Sequence, residues 1–364
     1  MDRITKRRET VIKSLKGDRV DAMLISSVPN VRYLTGFTGE DSTLLITRDR
    51  AIFLSDGRYR IQLEEECPGL EVHIRTVSQL MVDAIVEVAG QLGVRSLGIE
   101  ASVMNVADFE ELKSRLKTVD LVPLSGKVES SRAIKDREEI NAIKEAILFA
   151  ERAFGMLRSG LRGQDTEKGT ADALEGYLRH CGASAASFPP IIAVGARAAL
   201  PHARPTDSIR IDQADFVLVD WGATGNPYKS DLTRVLVTGK VTPKFEKVYR
   251  TVLEAQERAI AAIRPGVPAG DIDAEARSVI EEAGFGRFFD HGLGHGLGLE
   301  IHEAPRLRKE SNVTLQPGMV VTVEPGIYLP GWGGIRIEDD VLVTPHGCEV
   351  LSHVPKSLDS VRVA

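Results

Sequence analysis

The residues with the clearest capacity for chemistry are four carboxylates and one histidine in the C-terminal half of the chain. Each carboxylate lies in or beside a run of strand-forming residues, such as FVLVD or MVVTVE, where a lone charge would be costly to bury. No matching run of lysines or arginines accompanies them. Four carboxylates carry about four negative charges, which two divalent cations would balance. The pattern predicts a dinuclear metal hydrolase with the ligands Asp220, Asp231, His295, Glu324 and Glu338.

Asp220 and Asp231 flank a predicted β-turn. The segment between them contains ATGNP, and a turn centred between Gly225 and Asn226 would place the two aspartates directly opposite each other. Directly paired residues on antiparallel strands share a face, with β-carbons about 4.5–5.5 Å apart. Two such aspartates would repel each other, whereas a shared metal ion makes their pairing favourable.

Glu324 and Glu338 repeat this arrangement around the loop PGWGG. Gly331, the middle residue of the loop, is equidistant from the two glutamates. Any one acid on a half-exposed strand is most simply explained as a solvated surface charge. Two symmetric pairs beside a histidine-rich segment favour a metal site over that explanation.

The histidine-rich segment has unusual backbone freedom. His291 and His295 flank Gly-Leu-Gly, and His302 follows in LEIHE. Glycine at every second position from Gly292 to Gly298 allows the backbone to approach a ligand or another segment closely. A nucleotide-binding glycine loop is disfavoured, because that motif begins a helix and GLGLEIHE is predicted to be extended.

The other histidines carry less information. His202 lies between two prolines in ALPHARPTD, and together with the predicted metal site it becomes a candidate for substrate contact. Four more occupy ordinary polar or half-buried contexts, and we assign structural or solvent-exposed roles to His73, His180, His346 and His353.

Length and composition are those of an ordinary globular protein. The 364 residues have room for about two domains, and 27% of them are charged. A net charge of −6 argues against nucleic acid as a partner. No apolar run reaches the roughly 20 residues needed to span a bilayer, so no membrane association is expected. The cysteines, an odd number at unrelated spacings, suit a reducing cytoplasm and predict no disulfide framework: Cys67, Cys181 and Cys348.

Hydrophobic periodicity predicts a compact α/β domain over residues 1–125. Its strand-like runs are residues 21–27, 42–47, 51–55, 70–76 and 96–100. Its helix-like runs lie near residues 3–16, 78–92 and 106–117. The polar stretch SGKVESSRAIKD then predicts a linker.

A separate catalytic domain is predicted over residues 133–364. Its helix-like runs lie near residues 136–159, 165–181, 243–263 and 270–284. The predicted ligands lie in strand-rich segments between and after these helices. Because helices and strands alternate irregularly, the architecture is predicted to be α+β and not doubly wound.

The motifs DWGA, SDLTR, HGLGHGLGLEIHE, EPGIY and RIEDD, in this order, resemble those of the pita-bread metallopeptidases. NVRYLTGFTG and LSDGRY resemble the N-terminal domain of the Xaa-Pro aminopeptidase and prolidase branch, and AIKDREEINAIKEA resembles the start of its catalytic domain. The resemblance covers nearly the whole chain. It implies a small creatinase-like α/β domain followed by a pita-bread catalytic domain.

The resemblance implies a role for each predicted ligand. Asp220 would bind one metal ion, Asp231 and Glu338 would bridge both ions, and His295 and Glu324 would complete the coordination. In the family the ions activate the attacking water, and Glu324 would handle its proton.

Further roles follow for residues around the metals. His202 and His302 resemble the histidines that contact the substrate carbonyl and the tetrahedral intermediate, and His291 resembles one that lines the substrate pocket. Arg336 would lie on the same strand face as Glu338 and stabilise the acidic cluster at the substrate site. The family also implies a homodimer, in which the N-terminal domain contacts the partner and narrows access to the active site.

Oxygen-rich ligation with a single imidazole suits manganese, cobalt, iron or zinc better than copper. We expect two divalent ions per chain, manganese or cobalt in preference to zinc or iron. The expected substrates are short proline-containing peptides.

The leading function is that of an Xaa-Pro aminopeptidase, with a prolidase acting on Xaa-Pro dipeptides as the alternative. A prolidase needs an arginine for the free carboxylate of its substrate, and only unassigned candidates are available in Arg197, Arg204, Arg306 and Arg308. A metal-free creatinase-like hydrolase and an inactive binding module are disfavoured, because all five ligand positions carry ligating side chains. A methionine aminopeptidase is disfavoured by the extra N-terminal domain.

Overall fold

A computed structural model describes residues 3–363 of the protein. The chain divides into two compact units, Met1–Arg132 and Ala133–Ala364. Each unit has a hydrophobic core of its own. Within the described residues, no helix is both long and apolar enough to cross a membrane.

A six-stranded mixed sheet forms the centre of the first unit. Its strands are β1 (Ala22–Ile25), β2 (Thr43–Thr47), β3 (Ala51–Asp56), β4 (Glu71–Arg75), β5 (Ser96–Glu100) and β6 (Asp120–Leu124). They follow the order β4-β3-β2-β1-β5-β6, with β1 and β3 antiparallel to β2 and the other pairs parallel. The helices are α1 (Arg3–Ser14), α2 (Val28–Thr35), α3 (Arg60–Glu66), α4 (Met81–Gln91), α5 (Val106–Arg115) and α6 (Glu129–Arg132).

The predicted elements of this unit are confirmed. All five predicted strands and three predicted helices are present, with ends that differ by three residues or fewer. Sequence patterns missed α2 and α3, which at eight and seven residues are too short to show a clear helical period. The segment predicted as a linker contains the short helix α6.

Four helices of the second unit agree with prediction within two residues: α7 (Arg137–Gly160), α8 (Glu167–His180), α9 (Pro243–Ala262) and α10 (Ala269–Glu282). Their boundaries have local causes. Asp136 accepts hydrogen bonds from the first-turn amides of α7 and forms a capping box with Glu139. The side chains of Thr166 and Thr242 each accept a hydrogen bond from one first-turn amide, of α8 and α9 respectively.

The strands of the second unit form small antiparallel sheets: β7 (Ala185–Ala186), β8 (Ile191–Val194), β9 (Phe216–Trp221), β10 (Ala223–Gly225), β11 (Tyr228–Lys229), β12 (Leu232–Val237), β13 (Gly294–Gly296), β14 (Glu303–Leu307), β15 (Val320–Val323), β16 (Gly326–Leu329), β17 (Gly333–Arg336), β18 (Asp339–Thr344) and β19 (Gly347–Val350). The sheet orders are β11-β10-β7, β12-β9-β8, β14-β13-β15-β18-β19 and β16-β17. With α7 to α10 packed against them, these sheets confirm the α+β prediction.

Strand β9 shows why the run FVLV is continuously hydrophobic. Phe216 and Leu218 pack in one cluster with residues of α9 and α10, whereas Val217 and Val219 pack in another with residues of α7 and α8. Both faces of the strand are covered, so all of its residues are buried. Asp220, near the end of this strand, is therefore held inside the protein.

The first predicted hairpin has a different register from the one expected. Asp220 pairs with Thr233 and not with Asp231, because the turn is centred one residue later, on Asn226 and Pro227. Asn226 takes a positive φ of 52°, which asparagine tolerates in tight turns. The predicted direct pairing is therefore wrong. The shift is an even number of residues, so both aspartates still face the same side.

The second predicted hairpin is confirmed. Strands β16 and β17 pair symmetrically about Gly331, which takes a φ of 76° in the connecting loop. Val323 pairs with Asp339 between β15 and β18 in the same register. Glu324 and Glu338 therefore lie across from each other where these two paired segments meet.

Candidate metal centre

A cavity of about 720 Å³ lies in the second unit. All nine residues that the sequence nominated for the site line it: His202, Asp220, Asp231, His291, His295, His302, Glu324, Arg336 and Glu338. These residues are spread over more than one hundred positions of the chain, from His202 to Glu338, and the fold of the second unit brings them together.

The five predicted ligands lie at or next to strand ends. Asp220 is near the end of β9, Asp231 precedes β12, and His295 lies within β13. Glu324 follows β15, and Glu338 lies between β17 and β18. Backbone hydrogen bonds also join these segments outside the strands. The amide of Glu338 donates to the carbonyl of Thr233, and the amide of Glu324 donates to the carbonyl of Leu293.

The side chains of this group approach each other closely. Within residues 3–363, one cluster of three residues has the spacing of metal ligands: donor atoms of Asp231, His295 and Glu338 lie within 4.8 Å of one another. His295 Nε2 also lies 3.6 Å from Asp231 Oδ2 and 3.3 Å from Glu324 Oε1. Oxygen atoms and one imidazole nitrogen at these separations can surround a cation of the first transition series.

Burial raises the pKa of each of the four carboxylates, and repulsion between carboxylates adds to this effect in three of them. Burial, and then the neighbouring carboxylates, raise the pKa values of Asp231 and Glu338 well above the usual range. Burial also raises the pKa of Asp220, and that of Glu324 to about 7. In this environment all four could be ionised together only with added positive charge.

Arg336 supplies part of that charge but not all of it. Its guanidinium contacts Asp220 Oδ2 at 2.5 Å, Tyr328 Oη at 2.8 Å and Thr233 Oγ1 at 3.0 Å. Among the residues that the structure describes, Asp220 Oδ1 nevertheless remains buried without a hydrogen-bond partner. Native proteins seldom leave such an atom unsatisfied. The orphaned oxygen and the excess of carboxylates both fit bound divalent cations.

His295 presents a lone pair to the cluster. Its Nδ1 lies 3.1 Å from the carbonyl oxygen of Gly296, which can only accept, so Nδ1 carries the hydrogen and Nε2 is left free to ligate. Burial, together with the nearby His302, lowers the pKa of His295 to about 3. The imidazole is therefore neutral at physiological pH, as a metal ligand must be.

The other three histidines line the cavity around the ligands. Burial lowers the pKa of His291 to about 4, and its Nε2 lies 3.0 Å from Tyr328 Oη. The His302 ring packs edge-on against that of His295, with 4.4 Å between centroids. His302 and His202 also line the cavity, and both are exposed to solvent.

Several residues of the site were not nominated from the sequence. Tyr328, Thr233 and Thr322 contact the nominated residues, and Asp340 Oδ2 accepts the backbone amide of Asp231. Three of them could have been found from the alternation of side chains along a strand, in which every second residue shares a face. Thr233 follows Asp231 by two residues, while Thr322 and Tyr328 lie two before and four after Glu324, on the same strand faces.

Comparisons with known proteins agree with this site. Metallopeptidase family M24 matches residues 141–345, and the creatinase/prolidase N-terminal domain matches residues 7–134. An Xaa-Pro dipeptidase from Pyrococcus horikoshii is 35% identical over 359 residues, covering 98% of this chain and 100% of the relative.

Two solved structures have the same fold throughout. An Xaa-Pro dipeptidase from Bacillus anthracis is 38% identical, with a TM-score of 0.94 and coverage of 98% of this chain and 99% of its own. An X-Pro aminopeptidase from Thermotoga maritima is 36% identical, with a TM-score of 0.87 and coverage of 95% and 98%. The resemblance to the pita-bread Xaa-Pro peptidases is thereby confirmed. The chain belongs to metallopeptidase family M24 and is a metal-dependent peptidase.

Proposed function

We propose that the protein is an Xaa-Pro dipeptidase, which makes the alternative from the sequence the favoured function. The observation that carries this proposal is a pair of uncommitted arginines in the metal-site cavity. Arg306 and Arg308 both line it, and within residues 3–363 neither side chain makes a hydrogen bond or an ion pair. An Xaa-Pro dipeptide carries a free proline carboxylate, which a guanidinium can bind through two parallel hydrogen bonds.

The other two candidate arginines do not suit this task. Arg197 Nε lies 2.9–3.0 Å from the two carboxylate oxygens of buried Glu167. Arg204 does not line the metal-site cavity. Arg306, by contrast, pairs directly with His295 across β13 and β14, so both side chains project from the same face. This shared face, in the same cavity as the ligands, supports a role for the Arg306 guanidinium in binding the carboxylate of a substrate whose scissile bond would lie at the ligands.

The five predicted ligands would hold two divalent ions, and their mostly oxygen donors support manganese or cobalt, with zinc or iron as alternatives. When bound, the ions lower the pKa of water and polarise the scissile carbonyl. Glu324 would take the proton of the attacking water and return it to the leaving proline nitrogen. His202 and His302 would donate hydrogen bonds to the carbonyl oxygen as its charge develops, and His291 with Tyr328 would line the pocket.

Substrate length tests the proposal. We expect kcat/KM for an Xaa-Pro dipeptide to exceed that for the same peptide extended by one residue. Arg306→Met should reduce the dipeptide value by about 10- to 100-fold, since a charge-assisted hydrogen bond contributes about 1.5–3 kcal/mol, and leave the extended peptide little changed. Arg204→Met is the matched control and should alter neither value.

A clear preference for the extended peptide would instead identify an Xaa-Pro aminopeptidase. That second candidate is supported by the similar fold of the Thermotoga maritima X-Pro aminopeptidase. Equal loss on both substrates in Arg306→Met would also contradict a role in binding the dipeptide carboxylate.

We also propose a cytoplasmic homodimer, in which the N-terminal domain, residues 1–125, contacts the partner and restricts access to the catalytic domain, residues 133–364. The free thiols of Cys67, Cys181 and Cys348 support a reducing compartment. Light scattering at micromolar concentration should give the mass of a dimer. A strictly monomeric protein would contradict the proposed dimer but not the proposed peptidase activity.

A further inference from the structure

Two buried threonines lie between the predicted metal ligands and their neighbours. Thr233 and Thr322 have no exposed surface. Thr233 Oγ1 is 2.5 Å from Glu338 Oε2 and 3.0 Å from Arg336 Nε. Thr322 Oγ1 is 3.3 Å from Glu324 Oε1 and 3.0 Å from the backbone nitrogen of His295.

The direction of each hydrogen bond follows from its partners. Arg336 Nε and the His295 amide can only donate, so each threonine oxygen accepts from one of them. A threonine hydroxyl has one hydrogen, and in each case a ligand carboxylate is the acceptor left for it. The two hydroxyls are thus oriented the same way, each with its hydrogen directed at a glutamate.

The surrounding backbone holds both threonines in place. Thr233 pairs with Asp220 across the β9–β12 ladder and bridges to Glu338 on its other side. Thr322 lies in β15, and its hydroxyl is 2.7 Å from where a β-carbon on Gly294 would be, so glycine is needed there. Threonine is β-branched and has few accessible rotamers, which favours a fixed hydroxyl direction.

We propose that Thr233 and Thr322 are positioning residues, which hold the carboxylates of Glu338 and Glu324 in the orientation that binds metal. This inference rests on the proposed ligand set. The carboxylate of each glutamate has further lone pairs for a cation after it accepts one hydrogen bond. Partners that orient ligands in this way typically change metal affinity by about 10- to 100-fold.

The test is Mn²⁺ binding to the chelated full-length protein, measured by titration calorimetry on variants of matched size. Thr233→Val and Thr322→Val should each weaken Mn²⁺ binding by about 10- to 100-fold. Thr233→Ser and Thr322→Ser keep the hydroxyl and should stay within about threefold of the parent. Thr170→Val is the control, because Thr170 is also buried, does not line the metal-site cavity, and has a hydroxyl that bonds to no other described residue.

A second readout separates positioning from a general loss of structure. The visible absorption of the Co²⁺-loaded protein reports coordination geometry, and it should change in both valine variants but not in Thr170→Val. Folding is verified by circular dichroism, and if one valine variant does not fold, the other decides. Valine variants that bind Mn²⁺ like the parent and leave the Co²⁺ spectrum unchanged would overturn the inference.

Glu338→Gln distinguishes failure of this inference from failure of the ligand set. If it loses Mn²⁺ affinity while the valine variants do not, only the threonine roles are wrong. If Glu338→Gln itself binds Mn²⁺ like the parent, the ligand assignment is wrong and the threonine inference is overturned with it.

Discussion

Glu338 and Asp339 are consecutive, both almost fully buried, and belong to two acidic clusters of opposite character. Asp339 is matched by cations: its carboxylate contacts Arg234 at 2.7 Å and Lys356 at 2.6 Å, and Gln256 donates to it at 2.7 Å. These partners lower its pKa, even though burial acts in the opposite direction. Asp339 is therefore a satisfied structural charge.

In the cluster on the Glu338 side, the negative charge of the carboxylates is only partly balanced by positive charge. Of its four carboxylates, Asp220 contacts the guanidinium of Arg336. Burial raises the pKa values of all four, and repulsion from neighbouring carboxylates adds to this for Asp231, Glu324 and Glu338. Alternation along the strand sends the two neighbouring side chains to opposite faces, so one segment serves both clusters. The contrast teaches that burial of an acid does not by itself indicate function. The Glu338 side differs from the Asp339 side in that its four buried carboxylates outnumber their cationic partners, whereas Asp339 has two cations to itself.

The largest expected difference between the clusters is in catalysis. Asp231→Asn or Glu338→Gln removes a proposed bridging ligand and should lower kcat/KM by more than about 100-fold, the upper range for partners outside the coordination shell. The Asp339→Asn protein should keep the metal affinity of the parent when it is measured at a temperature low enough for this less stable variant to remain folded. Equal loss of metal affinity in Asp339→Asn and Glu338→Gln would remove the distinction between the two faces.

Stability should show the reverse order. Asp339→Asn leaves Arg234 buried without its ion-pair partner, which typically costs about 3–5 kcal/mol. For a unit of this size that lowers Tm by roughly 6–20 °C. Metal-free Glu338→Gln should melt at or above the Tm of the metal-free parent, because it removes a repelling charge. Calorimetry on both chelated variants checks this, and a lower Tm for Glu338→Gln than for Asp339→Asn would contradict it.

A smaller effect is expected from pH in chelated protein. The pKa of Glu324 is raised from 4.5 to about 7 by burial, so the folded state binds its proton more tightly than the unfolded state. The free energy of unfolding should therefore fall as pH rises from about 4.5 to 7, by roughly 3 kcal/mol relative to Glu324→Gln. Urea titrations of both proteins across this range measure the difference. If the difference in free energy of unfolding between the two proteins did not change with pH, the pKa of Glu324 would not be raised in the folded state.

The two hairpins show what the sequence could predict about this site. The Glu324–Glu338 register was predictable because a glycine with positive φ, Gly331, marks the centre of its loop. The first hairpin was predicted two residues out of register, because its turn forms on Asn226 and Pro227 and not on Gly225 and Asn226. A register shift of two residues leaves each side chain on the same face of its strand, so the predicted ligands still face one another.

The partners of the ligands were less accessible to sequence patterns. The hydrogen bond from Thr233 to Glu338 joins residues 105 positions apart, and its existence depends on how two sheets approach each other. Asp340 and Asp339 follow Glu338 directly, yet one binds the Asp231 amide and the other an arginine and a lysine. Residue type and spacing identify the acids, but only tertiary packing shows which of them have cationic partners.

Stepwise return of Mn²⁺ to exhaustively chelated protein tests the central claim most directly, with Xaa-Pro dipeptidase activity and bound metal measured in the same samples. The partly balanced cluster on the Glu338 side predicts an inactive metal-free protein, whose activity returns as about two ions bind per chain. It also predicts a Tm that rises with metal, because the ions bind the folded state alone. Full peptidase activity in the metal-free protein would contradict the account.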